Sequence, residues 1–337
     1  MTSSKKNLRV ADKNPTNIQT HRLFVNVFPC VSFKFFVFCI QSHMNIAEEY
    51  KKSLKSAEAE EILDLLIYRP IAFVIVKLIY RLPITPNQIT YAALVTGLIS
   101  AFEFAQGTPS GFLAGAMWYV AANVLDCSDG MLARLQKSGT PLGRLVDGVV
   151  DWATSVAIFL GLGLGMSAYF GSELYWLLAI AAGVLSGYHA MVFDKRQQEY
   201  ISTARGERNF IKRESEKVEF ELHKSSNPIR KFFLSLYARY LKAQEGNSHE
   251  ETSAIHYEPA VYRQHNMSIM RWWTWLGPTT NRSMLIATGI VARPDWFCWC
   301  VIFPLNVYLI FLFAWQRKVT RRLDNLTPSF HPTTGTA

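Results

Sequence analysis

Cysteine is scarce in this chain and unpatterned where it occurs. Five stand among 337 residues, Cys30, Cys39, Cys127, Cys298 and Cys300. They form no C-x-x-C pair, and no histidine lies at metal-ligand spacing from them. That excludes a zinc site or a disulfide framework and leaves the cysteines as small apolar fillers. No stretch sustains the period-two alternation of a half-buried strand, and no internal repeat exists. Charge is sparse as well, at 18% of residues against 50% hydrophobic and 13% aromatic. Such a mix argues against a water-soluble domain around one core and for several membrane spans with basic flanks. Lys and Arg outnumber Asp and Glu 35 to 26, a formal charge of +9. The basic residues cluster beside apolar runs, so anionic lipid headgroups are the expected partner and nucleic acid is not.

The N-terminal run from Leu23 to Ile40 is apolar but broken by Pro29 and Lys34, and no small-residue cleavage site follows it. It therefore reads neither as a signal peptide nor as a span, since a central lysine costs about 2.5–3.5 kcal/mol on insertion scales. Residues 1–43 are expected to be an extension without a folded role, with Met44 opening an acidic–basic amphipathic helix. Ile67 to Leu82 reads as a second amphipathic helix lying in the membrane interface, with Arg69, Lys77 and Arg81 toward the headgroups.

Thr85-Pro86-Asn87 breaks the chain and caps a new helix. Apolar runs follow at 88–106, 112–125, 148–170, 174–193, about 276–292 and 297–315, the fifth being poorly apolar. Turn residues separate them, including Gly107–Gly111 and Ser138–Gly143. With flanks, each reaches roughly the 20 residues that a bilayer needs. The expected fold is an all-α integral membrane protein of six transmembrane helices plus the N-terminal interfacial amphipathic helix. Residues 44–325 form its single domain, about 194–270 is a cytoplasmic insertion, and 326–337 is a tail. Within the insertion, Asn227–Gln244 predicts a helix with Ile229, Phe232, Phe233, Leu236, Tyr237 and Tyr240 on one face. It either rests on the membrane or packs on the protein.

Lys and Arg placement sets the orientation. The connections at 107–111 and 168–174 carry neither, and 293–296 carries only Arg293. The opposite side holds Arg134, Lys137, Arg144 and fifteen further Lys or Arg between Lys195 and Arg282. Both termini and the region around Asp126 are thus expected on the cytoplasmic side.

Four aspartates crowd this apolar setting. Asp126 and Asp129 are three apart, and Asp147 and Asp151 are four apart, so each pair shares a helix face. A Gly-Thr-Pro turn folds the two helices into a hairpin, and Asp129 and Asp151 each lie eleven residues from Thr140. Unpaired carboxylates there are costly. Two divalent cations would balance them, and hard oxygen ligands select Mg²⁺, Mn²⁺ or Ca²⁺. Carboxylate-bridged ion pairs are a standard device for phosphoryl transfer. Gly130, Ala133 and Gly143 leave room for a ligand, and Arg134 adds a donor fork suited to phosphate.

Asp126, Asp129, Gly130, Ala133, Arg134, Gly143, Asp147 and Asp151, spaced D-x2-D-G-x2-A-R-x8-G-x3-D-x3-D, resemble the complete signature of the CDP-alcohol phosphotransferases. The stretch Thr85–Thr90 resembles the lead into that family's first helix, and the likeness covers about 85–195. The resemblance implies a six-helix enzyme of phospholipid biosynthesis. It would transfer a substituted phosphate from a CDP-linked alcohol to a hydroxyl acceptor and release CMP. It implies two divalent cations, Mg²⁺ or Mn²⁺, held by Asp126, Asp129, Asp147 and Asp151, with Asp151 also the base. Gly130, Ala133, Arg134 and Gly143 would surround the cytidine diphosphate, and a homodimer is left open. CDP-diacylglycerol is the favoured donor by that analogy, and a soluble CDP-alcohol with a lipid acceptor is the variant. His189, Lys195, Arg196 and Arg282 are the candidates for holding a phosphorylated or polyol acceptor. An aspartate-based cation-coupled transporter is the alternative from another class. It requires ionisable groups through several spans, which the other runs nearly lack.

Overall fold

The computed structural model describes residues 43–56, 58–206, 210–245 and 257–326. Among them all regular structure is helical. The expected N-terminal extension, apart from His43, and nearly all of the tail lie outside the described residues.

Three helices begin alike, and the sequence says why. Helix α3 (Pro86–Ala105), α4 (Pro109–Leu135) and α5 (Pro141–Phe170) each follow a threonine in extended conformation and start on proline. Proline fixes φ at a position whose N–H has no helical acceptor. The threonine oxygen takes one of the orphan N–H groups of the first turn. Thr108 Oγ1 accepts from Gly111 N at 3.0 Å, and Thr140 Oγ1 from Gly143 N at 3.0 Å. At Thr85 the box closes reciprocally, with Gln88 Oε1 accepting from Thr85 N at 2.9 Å.

Helix α3 packs on both α4 and α5, and α6 (Leu174–Ala204) packs on α5. The α3–α5 contact is backbone to backbone. A Cβ on Gly161 would collide with the Ala101 carbonyl, and one on Gly165 with the Phe104 carbonyl. Small residues four apart let membrane helices approach this closely. Around the crossing lie Phe104, Phe112, Ala116, Ile158, Leu162 and Met166, all fully buried. Outward from it point Val95, Leu98 and Phe102 of α3, Leu160 and Leu164 of α5, and Leu177, Ile180 and Val184 of α6. An apolar outer face suits helices solvated by lipid tails.

Before the bundle come α1 (His43–Ser53), a π-helical turn (Asp64–Tyr68) and α2 (Arg69–Ile79). After it come α7 (Phe210–Lys224), α8 (Pro228–Glu245), α9 (Pro259–Trp273), α10 (Pro278–Ile290), α11 (Pro294–Ile302) and α12 (Pro304–Leu326). Helix α10 lies against α4, while α9 and α11 lie against α6.

Among the described residues four stretches are long and apolar enough to cross a membrane: α3, α5, α6, and α11 with α12 taken together. Helix α4 is long enough, but its last third carries Asp126, Asp129 and Arg134. Helix α10 has only 13 residues.

Three sequence expectations change in detail. Arg69 does not face headgroups but is buried beside Glu60 at 2.8 Å, while Ala72, Phe73 and Val76 of α2 turn inward. Helix α6 runs on to Ala204, past the expected boundary at 193, because nothing in the polar continuation breaks it. The last apolar run is interrupted at Phe303, since Pro304 cannot donate its N–H. Helix α8 forms near its expected bounds and packs on α7 through Leu234, Ala238 and Leu241, against Val218. Of the face named from sequence, Tyr237 packs beside them and Phe232 is exposed, which is compatible with either expected placement.

Candidate active site

The turn between α4 and α5 brings the last third of one helix beside the start of the other. Lys137 takes a positive φ of 51° to close it. Asp126, Asp129 and Asp147 each offer a carboxylate oxygen, and these atoms lie within 4.8 Å of one another. Asp129 is buried, and its Oδ2 accepts from Thr90 Oγ1 of α3 at 2.5 Å. Asp147 Oδ1 is buried without a hydrogen-bond partner. Three crowded carboxylates with an unsatisfied oxygen are a poor arrangement for a protein alone and a suitable one for a hard divalent cation. The donor set therefore fits the metal that the sequence implied.

Asp151, one turn beyond Asp147, is held differently. Its Oδ1 accepts from Arg282 Nη2 at 2.9 Å. Nη1 of the same guanidinium donates to Asp126 Oδ2 at 2.7 Å and to Asn123 Oδ1 at 2.9 Å. Arg282, on α10, thus ties the two aspartate-bearing helices together. Asp151 keeps 44% of its side-chain surface exposed against 25% for Asp126, so of this pair it is the more open to an incoming molecule.

Gly130 and Ala133 lie partly exposed along α4 below the aspartates. A Cβ on Gly130 would meet the Arg134 guanidinium nitrogens at 3.4 Å, so that guanidinium lies across the glycine. Arg134 Nε is engaged by the carbonyl of Ser53. Gly143 sits opposite Asn87 of α3, whose Oδ1 would be 3.7 Å from an added Cβ. All eight signature positions thus fall at one end of the α4–α5 hairpin.

Of the four acceptor candidates, Arg282 reaches the aspartates. His189 is buried and shares a hydrogen bond with Asn306 at 3.1 Å, tying α6 to α12. Arg196 pairs with Glu199 at 2.7 Å and lies over the Trp273 ring. Both have structural partners away from the aspartates.

Sequence reasoning missed a second acidic layer contributed by residues 58–64. Asp64 Oδ1 accepts from Cys127 Sγ at 3.6 Å, directly behind Asp126 in the chain. Glu61 accepts from Thr279 N at 3.0 Å, Thr280 N at 2.8 Å and Thr280 Oγ1 at 3.0 Å. It supplies from far away the cap that Gly277-Pro278 lacks locally. Only glycine fits at 277, because the Glu61 carboxylate occupies the space of a side chain. Burial, then the nearby Asp64 charge, pushes the Glu61 carboxyl up to about 7. The available signal was negative: a helix starting on Gly-Pro with no Ser, Thr, Asp or Asn before it.

Residues 83–217 match the CDP-alcohol phosphatidyltransferase family. A stretch of 89 residues is 34% identical to the archaetidylinositol phosphate synthase of Pyrococcus horikoshii, covering 26% of this chain and 46% of that protein. Another of 68 residues is 40% identical to the bifunctional IPC transferase and DIPP synthase of Thermococcus kodakarensis, covering 20% of this chain and 15% of that protein. The likeness therefore spans less than half the length of either relative.

Proposed function

We propose, from the family of residues 83–217 and the carboxylates they bring together, that the chain is a membrane transferase of phospholipid synthesis. It moves a substituted phosphate from a CDP-linked alcohol, CDP-diacylglycerol in the favoured reading, to a hydroxyl acceptor. The observation that carries this is the three-carboxylate group on the α4–α5 hairpin, with its unpartnered Asp147 oxygen.

Two divalent cations, Mg²⁺ or Mn²⁺, held by Asp126, Asp129, Asp147 and Asp151, would when bound neutralise the pyrophosphate and ease departure of CMP. The chain's own groups do the rest. Gly130, Ala133 and Gly143 leave the hairpin surface low enough for the cytidine diphosphate to lie on it. Arg134 gives it a fixed donor fork. Asp151, more open than Asp126, takes the proton of the acceptor hydroxyl onto a carboxylate oxygen. The acceptor oxygen then bonds to the phosphorus attached to the lipid. The bond from that phosphorus to the CMP oxygen breaks, and CMP leaves. Arg282 must release Asp151 for this, and once released it is placed to hold an anionic acceptor.

In the membrane, α4 and α10 join the four long apolar stretches to make six spans, with the aspartates and both termini on the cytoplasmic side. The name of the Pyrococcus relative makes inositol phosphate the first acceptor to try. Purified full-length protein, given CDP-diacylglycerol and inositol phosphate with Mg²⁺ or Mn²⁺, should release CMP. Chelator should abolish the release, and Asp151→Asn should lower it at least a hundredfold. If no CDP-alcohol, lipid or soluble, gives metal-dependent CMP with any acceptor alcohol, the proposal fails.

A further inference from the structure

Away from the aspartates, a cavity of about 380 Å³ opens between residues 51–56 with Glu58, the end of α6 and the start of α9. Its polar lining is lopsided: Lys51, Lys55, Arg205 and Arg263 face a single carboxylate, Glu58. Glu58 is already satisfied, by Arg263 Nε at 3.0 Å and Tyr200 OH at 2.8 Å. That leaves three cations without a carboxylate among the described residues. The Lys51 side chain is exposed, and Arg205 Nη2 donates only to the Lys55 carbonyl at 3.0 Å. The Lys55 ammonium is largely shielded from water, and its hydrogen-bond partner is a neutral amide, Gln197 Oε1 at 2.9 Å. Burial holds that ammonium below its ordinary range. The Asp194 and Glu60 carboxylates act on it without an ion-pair contact, so a shielded ammonium here gains from an anion that bonds it directly.

Local structure fixes the arrangement. Gln197 Nε2 donates to the Ala59 carbonyl at 2.7 Å, so the amide oxygen is the atom turned to Lys55. Arg205 pins the Lys55 backbone from the other side. The loop is thus tied to α6 at both edges of the cavity, and the three cations come from separate elements. A surface that merely anchored to headgroups would need no such fixed recess. The volume falls in the range of small-ligand sites, and three converging cations suit a doubly charged oxyanion.

We propose that this recess is an anion site for a phosphomonoester group, separate from the aspartate site. The group belongs either to a soluble phosphorylated compound or to a lipid headgroup such as phosphatidate.

The test uses the full-length protein in nanodiscs, with chelator present so that the aspartate site carries no metal. In phosphatidylcholine nanodiscs, inorganic phosphate and glycerol phosphate are titrated by calorimetry against wild type and the double variant Lys51→Gln, Arg205→Gln. Both substituted side chains lie at the rim, so the variant keeps the buried Lys55–Gln197 contact. Saturable binding that weakens at least tenfold in the variant supports the site with a soluble ligand. If soluble phosphate gives no heat, nanodiscs containing phosphatidate are compared. A rise in melting temperature for wild type that the variant loses supports the site with a lipid ligand. Binding that the variant leaves unchanged, or no response to either source, overturns the proposal.

Discussion

Arg282 holds together what a cation pair would otherwise hold. Its guanidinium bonds Asp126 and Asp151, two of the four carboxylates proposed to hold metal. A charge-assisted hydrogen bond contributes roughly 1.5–3 kcal/mol, so displacing it weakens the apparent metal affinity. Arg282→Gln should therefore bind Mn²⁺ at least about tenfold more tightly in a calorimetric titration while turning over more slowly, because the acceptor loses its cation. Unchanged or weaker Mn²⁺ affinity in that variant would show that arginine and metal do not compete. Glu61 makes a second prediction at this scale. Its native carboxyl titrates near 7, above the ordinary 4.5, so between those values the folded state binds more protons than the unfolded chain. Stability then falls as pH rises from about 4.5 to 7, fully present below the lower value and lost through the upper one. Glu61→Gln, which keeps an acceptor for the α10 amides, should flatten that part of the melting-temperature profile. An equally steep profile in the variant would remove Glu61 as its source.

At the scale of helices, much was legible because the signals are local. Thr-Pro at 85–86 announces a start that forms as expected, and the pairs at 108–109 and 140–141, read only as turns, prove to open helices in the same way. The aspartate hairpin was equally readable, since helical rise and a short turn suffice to align residues equidistant from Thr140. What escaped was non-local. Glu61 caps a helix more than two hundred residues away, and no pattern near either residue records it. Arg282 was one of four acceptor candidates, and only the placement of α10 against α4 sets it apart as the one that reaches the aspartates. For α8 the sequence left lipid and protein both open as its partner; Leu234, Ala238 and Leu241 pack on α7 with Tyr237 beside them, while Phe232 is exposed. The backbone contact between α3 and α5 is a testable element-scale claim. Gly165→Val places atoms where the Phe104 carbonyl stands, an overpacking that costs about 1–3 kcal/mol. Its melting temperature in detergent should fall by several degrees. Gly187→Ala on α6, where an added Cβ meets nothing within 4 Å, should be neutral or stabilising. Equal effects from both changes would mean that close approach at Gly165 does not govern the crossing.

For the whole molecule the question is which way the bundle sits. The proposed orientation puts the aspartate hairpin, the Glu61 cap and the cationic recess on one side, with the connections after α3, α5 and α10 on the other. One residue looks like an exception: Arg293 stands in the far connection. It is not a free positive charge, for it makes two hydrogen bonds with the buried Asp295, at 2.8 and 2.7 Å, and lies over the rings of Phe170 and Trp296. The bias counts Lys and Arg, and one arginine here stands against fifteen between Lys195 and Arg282 on the other side, so the asymmetry holds. Ser110 and Ser138 are exposed at the two ends of the helices flanking the α4 span. With the native cysteines replaced, Ser110→Cys should react with a membrane-impermeant maleimide on intact cells, and Ser138→Cys only after permeabilisation. Labelling of both from outside would mean that α4 does not cross the membrane. Labelling in the reverse pattern would place the aspartates on the outer face, where a cytoplasmic CDP-alcohol could not reach them.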